Sequence, residues 1–209
     1  MVTDGIPGAV AARPDSALLV ATTNSGKIRE IAALLSVATR RLVSPEDLAT
    51  HLDVEETGAT YADNALLKAR AWFAATGMPT IAEDSGLEID ALGGAPGVFS
   101  ARYLGLPDGP EKNARVLEAL REVPPRRRRC RYVCVMALID EDGTERTFEG
   151  RCAGVVALAP AGTGGFGFDP IVRIPRLGRT MAELAEAEKN RISHRARAAA
   201  RLVRYLQSL

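Results

Sequence analysis

The sequence predicts an α/β fold built on a mixed sheet. Two observations carry that reading. The first half alternates short apolar runs with helical periodicity, in the order strand, helix, strand, helix, strand. The middle then holds a hairpin, with Asp140-Glu141-Asp142-Gly143 as its turn, before the chain finishes in helices.

Ser16 to Thr22 is a short apolar run bounded by polar residues, which reads as a buried strand. Thr23 to Lys27 is a polar loop. Ile28, Ile31, Ala32, Leu34 and Leu35 then recur at helical spacing, with Arg29 and Glu30 between them. Leu42-Val43 is a second short strand. Tyr61 to Thr76 is a helix rich in Ala and Leu, stopped by Gly77-Met78-Pro79. Thr80 to Ala82 reads as a strand that ends in two adjacent acids, Glu83 and Asp84, with a second apolar piece at Leu87 and Ile89. Glu111 to Glu122 is amphipathic and closed by Val123-Pro124-Pro125. Arg131 to Ile139, Thr144 to Cys152 and Gly154 to Leu158 read as strands, and Ile171 to Ile174 as a short extended piece. Helices around Met181 to Ala187 and Ser193 to Leu206 finish the chain, with Ser193 as an N-cap.

With 209 residues the chain is long enough for a sizeable core. Residues 1–16 read as a loose leader and 17–209 as a single domain, with the hairpin region as a second lobe. Net charge is +1 with 25% charged residues, so nothing global points to nucleic acid or membrane. No apolar run approaches the ~18 residues that span a bilayer. The first residues lack a secretory signal pattern, so the protein reads as cytoplasmic. Three cysteines, Cys130, Cys134 and Cys152, suit neither a disulfide framework nor, with only two histidines, a zinc site.

Several stretches bear chemistry. Neighbouring acids at the end of a buried strand need compensation, and a divalent cation is the simplest form of it. The rival reading of Glu83-Asp84-Ser85-Gly86 is a solvated turn. Thr22-Thr23-Asn24-Ser25-Gly26-Lys27, at a helix start, is either a phosphate site or an ordinary capped helix. It is not a Walker A loop, because Ala21 replaces the first glycine and Ile28 the final hydroxyl residue. Asn64 and Lys68 share a helix face, behind Glu55-Glu56, and reach either a ligand or water. Gly164 to Pro170 places Phe166 and Phe168 among glycines, either stacking on a base or plugging a tight turn. His194 and Arg195 open the last helix, where cations oppose the macrodipole, which points to an acceptor-rich partner. Arg126 to Arg129 reads as a solvated basic turn.

Together these motifs resemble one family, the pyrophosphatases of non-standard purine nucleoside triphosphates, also called inosine triphosphate or dITP/XTP pyrophosphatases. The resemblance rests on the segments 21–27, 55–58, 64–70, 84–87, 92–97, 100–103, 160–167, 188–189 and 192–195, in that order. It implies an elongated mixed sheet flanked by helices, two lobes around a central cleft, a homodimer and dependence on Mg²⁺. It implies hydrolysis of ITP, dITP and XTP to monophosphate and pyrophosphate, which clears deaminated purines from the nucleotide pool.

Carried over residue by residue, Thr22, Thr23, Asn24, Ser25, Gly26, Lys27 and Lys68 bind the triphosphate. Glu55 or Glu56 holds Mg²⁺ with Asp84. Asp84 is also the general base, and Ser85 touches substrate. Phe166, Gly167, Phe168, Asp169, Lys189, His194 and Arg195 form the base pocket, with Arg195 and the amides near Phe168 donating to a 6-oxo group. Glu83 stands where many members carry Asp, and its longer arm bears on the metal or the water. Phe168 stands where Tyr or Trp is frequent, and it keeps the stacking. A non-catalytic nucleotide-binding module is the alternative, and a nucleic-acid binder using Arg126 to Arg129 a more distant one.

Overall fold

The computed structural model describes residues 17–36 and 40–208. The leader lies outside the described residues. The elements, in chain order, are β1 (Leu18–Val20), α1 (Ser25–Leu35), β2 (Leu42–Val43), α2 (Tyr61–Thr76), β3 (Thr80–Ile89), α3 (Pro110–Ala119), β4 (Arg129–Ile139), β5 (Glu145–Val156), β6 (Val172–Ile174), β7 (Arg179–Thr180), α4 (Glu186–Ile192) and α5 (His194–Leu206). They form the expected α/β architecture, with one seven-stranded sheet in the order β2-β1-β3-β4-β5-β6-β7. β1 pairs parallel with β2 and β3, and all later pairings are antiparallel.

Local chemistry sets the helix ends. The Asn24 side chain accepts from the Lys27 amide and starts α1. Thr60 and Asp63 form a capping box at the start of α2, and Gly77, at φ 64°, ends it. Ser193 caps α5 by accepting from the Ala196 amide, as its sequence position predicts.

Strand alternation divides the core between two faces of the sheet. Leu18, Ile81, Met136 and Leu138 pack with Ile31, Leu35 and Leu202, the apolar stripes of α1 and α5. Leu19, Ala82, Val133 and Val135 pack with Ala65, Ala69 and Trp72 of α2. A third cluster, around Leu87, Tyr132, Ile171 and Met181, fills the far end beneath Val116 and Leu120. Each fully buried large apolar side chain contributes roughly 1.5–3 kcal/mol. Gly150 lets α5 lie directly on β5, since a Cβ there would overlap the His194 carbonyl. Among the described residues no helix is long and apolar enough to cross a membrane.

Four local expectations are corrected. β3 does not end at Glu83-Asp84; it runs unbroken through both acids to Ile89, paired with β4 throughout. The segments either side of Ala153 form one strand, β5, because Gly154 sits where Val172 and the Arg173 carbonyl press against it. Met181 to Glu183 is a 3₁₀ turn held by a Thr180–Glu183 capping box, and the α-helix begins only at Glu186. The basic run is not wholly solvated. Arg128 is buried and donates to the carbonyls of Leu120, Val123 and Ala157, tying α3 to the end of β5.

Candidate active site

β1 ends at Val20 and is flanked on both sides by parallel strands, so the chain leaves in opposite directions around its carboxyl end. Open α/β sheets bind ligands at such a switch point. β3 continues eight residues beyond its last partner on β1, Ile81, and carries Glu83, Asp84 and Ser85 past that end. A cleft of about 620 Å³ opens there. Thr22, Thr23, Asn24 and Lys27 line one end of it, with Glu55, Glu56 and Lys68 beside them. Phe166, Phe168, Asp169, Lys189, His194 and Arg195 line the other, and Ser85 lies between.

Because successive strand residues face opposite sides, the two adjacent acids serve different clusters. Asp84 faces α2. Its Oδ2 accepts from Asn64 Nδ2 at 3.1 Å, its Oδ1 from the Ser85 amide at 2.9 Å, and Lys68 Nζ stands 3.9 Å away. Glu56 pairs with the same Lys68 ammonium and with Arg102, whose NH1 lies 3.0 Å from Oε2. Burial raises the Asp84 carboxyl above its ordinary range, and the neighbouring charge of Glu56 adds to this against the pull of Lys68. Burial acts the same way on Glu56, but Lys68 and Arg102 hold that carboxyl below its usual value.

Two carboxylates converging on one ammonium also suit a hard cation, since both offer oxygen donors. Of the two glutamates, Glu56 is the one in this cluster. Glu55 lines the cleft but is exposed, with no ion pair among the described residues. No group of three or more acidic, His or Cys side chains that could hold a metal converges among the described residues.

Glu83 faces α5 instead, and cationic side chains compensate it. Arg195 grips it with Nε at 2.8 Å and NH2 at 2.9 Å, and Lys27 Nζ lies 3.0 Å away. The chain of charges continues from Arg195 to Glu30, then to Lys189 at 2.6 Å, then to Asp169 at 2.6 Å, and ends on the Tyr132 hydroxyl at 3.1 Å. Three cations balance three anions, which is what permits their burial. Burial works against ionisation of Glu83, but Arg195 and Lys27 hold its carboxyl well below the usual range. The longer arm of Glu83 bears on Arg195 and Lys27. Glu30 was read only as part of the polar face of α1. Its signal was its place three residues after Lys27, which puts both on one face.

The residues expected to form the base pocket line the other end of the cleft. Asp169 accepts from the Phe166 amide at 3.0 Å as well as from Lys189, so it organises the loop. Phe166 is half-buried and its ring lies under Lys189 and Arg195. Phe168 is 4% exposed and packs into the core, so it forms a wall, and Phe166 is the more exposed of the two rings. Arg195 is a structural cation first. Glu83, Glu30 and Ser85 occupy four of its five N–H donors, leaving one for a ligand. Gly26 lies in the first turn of α1 against Phe166, which joins the two ends of the cleft.

His194 stacks on Tyr132 with ring centroids 4.7 Å apart, and its Nδ1 is buried without a partner among the described residues. Burial and the positive charge of Arg195, Lys189 and Lys27 hold the imidazole well below its ordinary value of 6.5, against a smaller pull from Glu83. Above that value it is neutral in both folded and unfolded chains. Below it, the unfolded chain takes up a proton that the folded one refuses, so stability falls by about 1.4 kcal/mol per pH unit. Urea unfolding between pH 6.5 and 5 should show this slope, and His194→Gln should flatten it. The other histidine, His51, is exposed.

The cysteines are free and buried, as expected, and burial pushes the Cys130 thiol up to about 12. They lie outside the chemistry.

Comparison with known proteins agrees with this geometry. The family model described as Ham1 family matches residues 18–205. A dITP/XTP pyrophosphatase of Symbiobacterium thermophilum is 50% identical over 193 residues, covering 92% of this chain and 95% of that protein. The dITP/XTP pyrophosphatase of Xanthomonas campestris pv. campestris is 47% identical over 195 residues, covering 92% and 98%. A solved HAM1 protein from Coxiella burnetii superposes with a TM-score of 0.83 at 39% identity, covering 93% of this chain and all of that one. On a match that spans nearly its whole described length, the chain belongs to the Ham1 family.

Proposed function

We propose that this protein hydrolyses nucleoside triphosphates of 6-oxo purines, of the dITP, ITP and XTP kind, to monophosphate and pyrophosphate. The relatives named dITP/XTP pyrophosphatase support the substrate class. The observation that carries the reaction is the convergence of Asp84, Glu56 and Lys68 beside the amide end of α1.

The triphosphate lies along the first turn of α1, which has no acidic residue to repel it, with Lys27 and Lys68 as its cations. Glu56 and Asp84 would hold Mg²⁺ through their carboxylate oxygens. When bound, that ion offsets phosphate charge and lowers the pKa of water in the site. Asp84, raised above the usual carboxyl range and fixed by Asn64 and the Ser85 amide, accepts the proton of the attacking water. The water attacks the α phosphorus, the α–β bridging bond breaks, and pyrophosphate leaves.

At the other end Phe166 stacks on the base. The Gly167 and Phe168 amides and the last N–H of Arg195 face the 6-oxo group. A 6-amino group would set donor against donor there, which costs orders of magnitude in rate. The protein acts as one domain of two lobes, as a homodimer and in the cytoplasm.

Hydrolysis of dITP in ¹⁸O-water tests the point of attack. The label is expected in the monophosphate. Label in the pyrophosphate would place attack at the β phosphorus and overturn the mechanism. Lys68→Ala should raise KM for dITP by about ten- to a hundredfold, since it removes a charge-assisted phosphate contact. Steady-state kinetics at saturating Mg²⁺ check this.

A further inference from the structure

Lys112, on α3, is 1% exposed, and its ammonium stands 5.9 Å from the centre of the Phe168 ring, behind the residues that line the cleft. Its ammonium donates to the carbonyls of Ser100 at 3.1 Å and Ala101 at 2.7 Å, and to Asp108 at 3.0 Å. Those carbonyls end the first turn of the 3₁₀ segment Gly97–Gly105, just before the backbone departs from helical geometry at Arg102. A cation at the carbonyl end of a turn is electrostatically favourable, and three acceptors satisfy all three of its donors.

The next residue is Arg102. It reaches across the cleft mouth and holds Glu56 twice, at the side chain through NH1 and at the main-chain carbonyl through NH2, each at 3.0 Å. Holding both the carboxylate and its own backbone fixes where that residue stands, beyond merely pairing its charge. Three supports follow one another in line: Lys112 fixes the Ser100 and Ala101 carbonyls, these aim Arg102, and Arg102 sets Glu56 beside Lys68 and Asp84.

We propose that Lys112 and Arg102 form a strut that positions Glu56. Both are positioning residues, and neither is assigned contact with the reacting atoms. The consequence for catalysis rests on the proposed function, in which Glu56 helps hold Mg²⁺. The geometric claim stands without it.

Hydrogen exchange of the full chain, read by mass spectrometry over residues 53–59, tests the strut without turnover. Arg102→Ala removes a half-exposed side chain and should speed exchange there about tenfold while sparing α3. Lys112→Met should speed exchange in the same remote segment, and the double variant should do no more than the larger single one. If Lys112→Met does not fold, Lys112→Gln, which keeps two N–H donors but no charge, serves in its place. The concentration of Mg²⁺ for half-maximal rate should rise about tenfold in Arg102→Ala and recover in part in Arg102→Lys, which restores one of two contacts.

A folded Arg102→Ala protein with parental exchange at 53–59 would overturn the strut. A Lys112 variant that loosens only residues 97–113 would reduce that lysine to local support. Absence of any triphosphate hydrolysis by the parent protein would defeat the proposed function alone, and the exchange result would still decide the strut.

Discussion

Asp84→Asn is expected to fold and to lose about three orders of magnitude in turnover, within the range that a positioned base supplies. The substitution is nearly isosteric, so the loss isolates the carboxylate. It is not silent for stability. Both Asp84 oxygens accept, from Asn64 Nδ2 and from the Ser85 amide, and an asparagine must turn its own amide towards one of these donors. That mismatch costs roughly 1–3 kcal/mol, visible as a lowered unfolding midpoint. Turnover near the parental rate would remove Asp84 from the chemistry. A variant that is both inactive and unfolded at assay temperature would instead make its role structural, and the midpoint distinguishes the two.

Glu83→Gln is expected to cost about 3–5 kcal/mol of folding free energy, the range for breaking a buried ion pair from one side. Arg195 would keep its charge with only Glu30 to balance it, and Lys27 would lose its single partner among the described carboxylates. An exposed pair supplies the contrast. Arg70 meets Glu145 with two hydrogen bonds, but on the surface, and Arg70→Ala should cost less than about 1 kcal/mol. Urea unfolding of both variants at pH 7 checks the difference. Acid should imitate the first one. The Glu83 carboxyl is depressed in the fold, so its contribution is present above the ordinary 4.5 and is lost as pH falls through the folded value.

These two residues also mark what could be read from the sequence. The loop after β1, the cap at Asn24 and the helix carrying Asn64 and Lys68 depend on neighbours a few positions away. Periodicity and capping chemistry therefore reach these elements, while the task of Lys68 comes only from the family resemblance. Glu83 depends on Arg195, 112 residues away. Without that partner, an acid pair inside a strand looks like the end of the strand, and β3 was read as stopping there. Once the pairing is known, alternation explains why adjacent acids serve opposite clusters.

The same reason hid Arg102 and Lys112. Arg102 gains meaning only through Glu56, 46 residues earlier, and Lys112 only through carbonyls, which no side-chain pattern reports. Arg195 lines the cleft from the start of α5. Its donors are largely committed to Glu83 and Glu30, a fact of packing rather than of pattern. A glycine commonly weakens a strand, whereas here Gly154 admits β6 against an unbroken β5.

The most direct measurement is hydrolysis of dITP, ITP, XTP, GTP, dATP and dTTP, with and without Mg²⁺, resolving pyrophosphate from orthophosphate. The expected result is Mg²⁺-dependent release of pyrophosphate from dITP, ITP and XTP, with dATP and dTTP spared. Orthophosphate as the direct product, or dATP consumed as fast as dITP, would contradict the reading of the cleft.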